Sequence, residues 1–292
     1  MESETRESGY DPNEGPDTPR WVHGVQWTGR AIRDGVVGAG KFVRRSYRAI
    51  EPDLLRTFVH MPVLGLTHLS PRVRAVDPIE DDGHRPVVFV HGLGGHPGNF
   101  APMSMCFRVL GRRRLYSVGF QNGHLIEDLA KELSEQIELI AEVNDLGANG
   151  QVDLVCHSMG GICARVALEN EQTRARVAKF VTLGTPHRGT ELARLARTHN
   201  ILDLRPGSDL VMRLDKQLPW GSDRYMPKAA ALWSESDYFM LPAEVANLTG
   251  AENIELPGMT HLSYLLHLQA WVTVWGFLND EPVEAIPVHA VA

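Results

Sequence analysis

From His84 onward the sequence predicts an α/β fold, a mostly parallel central sheet with helices on both faces. Two observations carry this. Short β-branched runs alternate with longer stretches of helical period, the order of a sheet whose parallel strands are joined by crossover helices. Runs such as VVFV and AAALW are also apolar at consecutive rather than alternate positions, as strands covered on both faces must be.

Taken in order, strands are expected at Val87–Val90, Leu115–Val118, Val152–Cys156, Lys179–Leu183, Ala229–Trp233 and Asn253–Leu256. Between the second and third, apolar residues at 125, 126, 129, 133, 137 and 140 form a helical stripe over Leu125–Val143, with Glu and Lys on the other face. Gly161–Asn170 and Leu262–Leu278 read as two further helices. The α/β domain therefore spans 84–280, and a tail, 281–292, follows it.

Ahead of the domain, residues 1–19 carry six acidic groups and one Arg with Pro12, Pro16 and Pro19, too polar to order themselves, so a disordered acidic tail is expected. A basic, aromatic extension, 20–83, follows. Over 20–48 seven Lys or Arg face one Asp, interleaved with Trp21, Trp27, Ile32 and Phe42. One reading is an amphipathic helix making peripheral contact with an anionic membrane. Gly24, Gly29, Gly35, Gly38 and Gly40 each lower helix propensity by about 1 kcal/mol relative to Ala, which favours the other reading, a segment packed on the main domain.

The bulk properties exclude several classes. A net charge of -7 argues against nucleic acid as a partner, since phosphate contact calls for a basic face. Cys106, Cys156 and Cys163 are too few and too irregularly spaced for a disulfide framework or a zinc site, and read as reduced packing residues. The chain opens with neither a basic start nor an apolar run, and no stretch of about eighteen apolar residues occurs. A cytoplasmic or membrane-peripheral location is the expectation. Histidines do not pair as HExxH and no acidic cluster has calcium-loop spacing, so neither a metal nor a cofactor is expected.

The chemistry concentrates in three stretches. In VDLVCHSMGG, Ser158 follows a buried strand and precedes a helix that begins with small residues. This is the pattern of a nucleophile elbow, where crowding around a sharp turn admits only small residues two before and two after the serine. Gly160 satisfies one position, and Cys156 stands where Gly is usual. In VVFVHGLGG a strand runs into His91, Gly92, Leu93, Gly94 and Gly95, a loop free to curl its amides toward one spot. The amides of Leu93 and Met159 are the candidates to hold an oxyanion. A nucleotide-binding turn is the competing reading, but neither GxGxxG nor GxxxxGK[ST] is present.

A serine needs an imidazole base, itself oriented by a carboxylate. The order Ser, then acid, then a late His points to His261 in the loop LPGMTHLS, with His187, His199 and His267 as alternatives. The strand AAALW delivers Asp237 of SESD as the acid, with Glu235 as runner-up.

Together HGLGG, CHSMGG and TLGTPHRGT resemble the bacterial triacylglycerol lipases and esterases of the α/β-hydrolase superfamily over roughly Pro86–Leu278, most of all small lipases whose elbow reads AHSMGG. The resemblance implies the α/β-hydrolase fold and a loop beside the pocket that matches Thr185, Pro186, His187 and Gly189. It also maps the acid and base onto Asp237 and His261. Within the domain, about 190–225 is an insertion that the resemblance implies is a cap or lid, its leucines either lining a pocket or packing the cap on the core. His91, Gly92, His157, Thr185, Pro186 and His187 are the expected pocket residues. The expected activity is hydrolysis of carboxylic, lipid-like esters without a cofactor. Acyl transfer, thioester or phospholipid hydrolysis at the same site, and a non-catalytic scaffold are the alternatives.

Overall fold

A computed structural model describes residues 79–282, apart from 121–124, 196–197, 217–219 and 221–225, together with His60, Leu64 and Gly65. The expected acidic tail 1–19 and basic segment 20–48 lie outside the described residues, as do most of the remaining extension and residues 283–292 of the tail.

The strands β1 (Val87–Val90), β2 (Leu115–Val118), β3 (Val152–His157), β4 (Val177–Leu183), β5 (Lys228–Trp233) and β6 (Glu252–Glu255) form one six-stranded sheet in the order β2-β1-β3-β4-β5-β6. Every neighbouring pair is parallel. Because the chain steps from β1 to β2 on one side and returns to β3 on the other, the order reverses at β1 and β3. In open parallel sheets this switch point leaves a crevice at the carboxyl ends of the strands.

Alternate side chains of each strand enter two separate cores. Val88, Val90, Leu154, Cys156 and Phe180 pack under α2 (Ile126–Val143) and α3 (Met159–Ala167), whereas Val87, Phe89, Val155, Val181 and Leu183 pack under α1 (Ala101–Val109) and α7 (Leu268–Asn279). The stripe expected for α2 is buried at Ile126, Leu129, Leu133, Ile137 and Ile140, while Leu125 caps the helix in extended backbone and is exposed. The three cysteines are free and buried, and burial pushes the Cys163 thiol up to about 12 and that of Cys106 to about 11, which keeps both protonated.

Two helical expectations change. Leu262–Leu278 is not one helix: a 3-10 turn at Ser263–Leu265 is followed by extended backbone at His267, which caps α7. Ser263 Oγ accepts from the Thr260 amide and bonds Thr260 Oγ1 at 2.7 Å, and such local bonds compete with helical ones. The helix α1, unmarked in the sequence reading, buries Met103, Cys106 and Phe107 at helical spacing.

The insertion between β4 and β5 folds into a 3-10 turn at Glu191–Leu195 and the short helices α5 (His199–Leu202) and α6 (Asp209–Asp215); α4 (Glu171–Ala175) precedes β4. Leu204, Leu210, Leu214 and Trp220 join the sheet's core, with the Trp220 ring 4.8 Å from Phe180. Buried Arg165 of α3 donates to the carbonyl of Leu214 at 2.6 Å and to that of His187 at 3.0 Å, joining α6 to the loop after β4. Among the described residues no helix is long and apolar enough to cross a membrane.

Candidate active site

Ser158 stands at the carboxyl end of β3 with φ 56° and ψ -129°, a backbone conformation that costs a non-glycine residue roughly 1–3 kcal/mol. Its surroundings enforce the turn. A Cβ on Gly160 would lie 2.6 Å from the carbonyl oxygens of Val90 and His91, so α3 starts hard against β1. The Ser158 amide donates to Leu183 at 3.0 Å, and its carbonyl accepts from the Gly161 amide and from Thr185 Oγ1 at 2.9 Å. With its main chain held this way, only the side chain of Ser158 is free to project above the sheet.

His261 and Asp237 reach the same point from the loops after β6 and β5. His261 Nε2 is 2.9 Å from Ser158 Oγ, and Nδ1 is 3.0 and 3.2 Å from the two oxygens of Asp237. A carboxylate can only accept, so Nδ1 carries the proton and Nε2 is left to accept from the serine hydroxyl. Asp237 is buried, whereas Glu235 is exposed. Asp237 Oδ1 also accepts from the amide of Phe239 at 3.1 Å, and the Phe239 ring stacks on His261 at 4.6 Å. The other candidate bases lie elsewhere. His187 is buried with Nε2 3.0 Å from Thr182 Oγ1, His267 lies edge-on to His60, and His199 is exposed on α5.

The loop after β1 folds over this group. A Cβ on Gly92 would stand 2.7 Å from Ser158 Cβ, so the Gly92 backbone packs directly on the serine. His91 pins the loop: Nδ1–H donates to the Gly92 carbonyl at 2.9 Å and Nε2 accepts from the Phe120 amide at 3.4 Å. The next residue, Leu93, is 44% exposed, and its amide makes no backbone hydrogen bond among the described turns and loops. Met159 opens α3, where the first amides have no partner within the helix.

Of the expected pocket residues, Gly92 and Thr185 touch Ser158 directly, and His91 shapes the loop above it. His157 is buried with its ring 4.7 Å from that of His261, and Nε2–H donates to the His261 carbonyl at 2.7 Å. Burial, and then the neighbouring His261, lower its pKa to about 3, so the ring is neutral. His187 faces Thr182 and Arg165, and burial followed by the charge of Arg165 holds its pKa well below the usual imidazole range.

Three residues that the sequence reading passed over complete the arrangement. Gly184, at φ 52°, lies under Asp237 and His261: a Cβ there would be 2.6 Å from Asp237 Oδ2, 2.9 Å from Tyr264 and 3.3 Å from His261 Nδ1. Tyr264 is fully buried, and burial and then Asp237 keep its phenol protonated. Thr190 ties the loop that carries Asp237 to the start of the insertion, donating to the Phe239 carbonyl at 2.8 Å and accepting from the Leu241 amide at 3.1 Å. The glycine after β4 was visible as a strand-end glycine, but the other two gave no local signal. Among the described residues no cluster of His, Cys, Asp and Glu is arranged to hold a metal.

The parallel sheet, its flanking helices and the strained serine at the switch point define an α/β-hydrolase fold with structural similarity to lipases and esterases. Residues 69–218, just over half of the chain, match the family described as Domain of unknown function (DUF7379), and the protein belongs to that family. Lipase B of Aspergillus fumigatus superposes with a TM-score of 0.60 at 18% identity, over 75% of this chain and 59% of its own. The mature lipase BlEst2 of Bacillus licheniformis gives 0.57 at 21% identity over 69% of this chain and 96% of its own. A stretch of 62 residues is 32% identical to the GPI inositol-deacylase of Candida albicans, spanning 21% of this chain and only 16% of that protein.

Proposed function

We propose that the protein is a serine hydrolase that cleaves carboxylic esters with lipid-like acyl groups. One observation carries the reading: Ser158 Oγ, the His261 ring and the Asp237 carboxylate form a continuous hydrogen-bonded chain at 2.9 and 3.0 Å, on a serine held at a positive φ. In the first step His261 Nε2 takes the hydroxyl proton as Ser158 Oγ bonds to the ester carbonyl carbon, while Asp237 balances the imidazolium. The amides of Leu93 and Met159 stabilise the oxyanion, an effect worth roughly 10²–10³ in kcat per donor. The imidazolium gives its proton to the departing alkoxide, leaving an acyl ester on Ser158, and water activated by the same imidazole then releases the acid. The chemistry requires no metal or cofactor.

Support for lipid-like substrates comes from the large apolar side chains exposed on the segments next to the acid, base and oxyanion loop: Leu93, Phe239, Leu241 and Leu195. The likeness to lipases in fold points the same way. The identity to the inositol-deacylase adds an acyl ester of inositol as a second substrate to test. The experiment is hydrolysis of p-nitrophenyl esters from acetate to palmitate by the wild type and Ser158→Ala. Turnover that rises with acyl length and disappears in the variant supports the proposal. Short-chain preference would refute the lipid-like part, and turnover that survives in Ser158→Ala would refute the nucleophile.

A further inference from the structure

We propose that His157, the residue immediately before the serine, is a positioning residue whose Nε2–H anchors the main chain of His261 to the strand that carries Ser158. The inference rests on the hydrolase reading of the site and goes beyond it, because it gives this side chain a task other than lining the substrate pocket. As the last residue of β3, His157 is fixed by the sheet, while His261 sits in a loop beyond β6, 104 positions further along the chain. The bond between His157 Nε2 and the His261 carbonyl, at 2.7 Å, spans that separation.

Base and nucleophile thereby share one frame. The His261 side chain is oriented by Asp237 through Nδ1, and its main chain is held by His157. Among the described hydrogen bonds no backbone amide donates to the His261 carbonyl, so the imidazole supplies what the turn at Thr260–Ser263 leaves open. A neutral donor suits the place. The two rings lie 4.7 Å apart, and a Lys or Arg at 157 would put a permanent positive charge beside the imidazolium that forms on His261. A donor also has to reach from a fully buried strand end without water, which a rigid ring does at little entropic cost.

The test compares His157→Phe, which keeps the ring and removes the donor, with His157→Gln, which keeps a donor. Because a misplacement of about 1 Å can cost roughly 10²-fold in rate, His157→Phe should lower kcat on p-nitrophenyl butyrate by roughly ten- to a hundredfold. KM should stay within about twofold, since no substrate contact is removed. The far-downfield proton resonance of His261 Nδ1–H should broaden or vanish in His157→Phe and return in His157→Gln, together with most of kcat. Wild-type kcat and an intact resonance in folded His157→Phe would overturn the proposal, and so would a His157→Gln as impaired as the Phe variant. If His157→Phe does not fold, the ¹⁵N shifts of the wild-type imidazoles decide. The Nε2–H tautomer at His157 is required, and the Nδ1–H tautomer overturns the inference. These spectra need no turnover, so a wild type that hydrolyses no ester would refute the hydrolase reading while the anchoring bond is still judged on its own.

Discussion

A methyl group added at Gly184 would enter the space between the acid and the base. In Gly184→Ala the new carbon would lie 2.6 Å from Asp237 Oδ2 and 3.3 Å from His261 Nδ1, with Tyr264 behind it at 2.9 Å. Ordinary non-bonded contact is about 3.5 Å, so the carboxylate must retreat by roughly an ångström or the end of β4 must back away. Tyr264 is fully buried and cannot yield, which leaves the Asp237–His261 bond to absorb most of the shift. Displacement on that scale corresponds to a fall in kcat of roughly 10²-fold. The φ of 52° adds about 1–2 kcal/mol for a residue with a Cβ, and overpacking adds about 1–3 kcal/mol, so a stability loss of roughly 2–5 kcal/mol accompanies it. The assay is steady-state hydrolysis of a p-nitrophenyl ester beside a thermal melt. KM should move little, because the serine and the loop of Leu93 are untouched. A folded Gly184→Ala with kcat within about threefold of wild type would refute the reasoning, since the displacement expected of it would then be catalytically silent.

Other perturbations read other parts of the arrangement. Asp237→Asn should lower kcat by roughly 10⁴-fold with little change in the melt, because an amide donor at that place favours the wrong tautomer of His261; steady-state kinetics check this. Arg165→Met should leave the carbonyls of His187 and Leu214 unpaired and cost roughly 2–4 kcal/mol, seen as a lower Tm and faster hydrogen exchange in α6. Stability should also fall in acid. His157 and His187 are buried neutral, with pKa about 3 for the first and well below the usual value for the second, while both return to about 6.5 on unfolding. The unfolded chain therefore binds more protons as pH drops from about 6.5 toward 3. His157 alone removes about 1.4 kcal/mol per pH unit over that window and His187 adds to the loss, to be followed by urea melts between pH 7 and 4. His187→Gln should make this slope shallower.

The strands were legible to within two residues at either end because short runs rich in β-branched and apolar residues stand out from the longer amphipathic helices between them. Ser158 was legible for a different reason: the small residues about it answer to crowding at one turn, which leaves a local trace. Asp237 and His261 were found by chain order and by the loops that carry them, and the structure sets them 3.0 Å apart. What did not show in the sequence depends on tertiary placement. Gly184 looks like any glycine that ends a strand until Asp237 arrives 53 residues later. His157 and His187 read alike as pocket residues, yet one ring turns to a main-chain carbonyl and the other to Thr182 and Arg165. The break at His267 was read only as an interruption of the apolar run and not as the end of a helix, whereas its extended backbone separates the turn at Ser263–Leu265 from α7. The single Arg of the apolar α3, in its last turn, gave no hint that it reaches across to the insertion between β4 and β5.

The central claim is that Ser158 forms a covalent acyl ester, and the most direct measurement is intact-protein mass spectrometry after treatment with a long-chain fluorophosphonate, followed by peptide mapping. One phosphonyl group on the peptide that carries Ser158, absent in Ser158→Ala and slowed in His261→Ala, is the result the account predicts. An unlabelled, folded wild type, or a label that persists in Ser158→Ala, would contradict it.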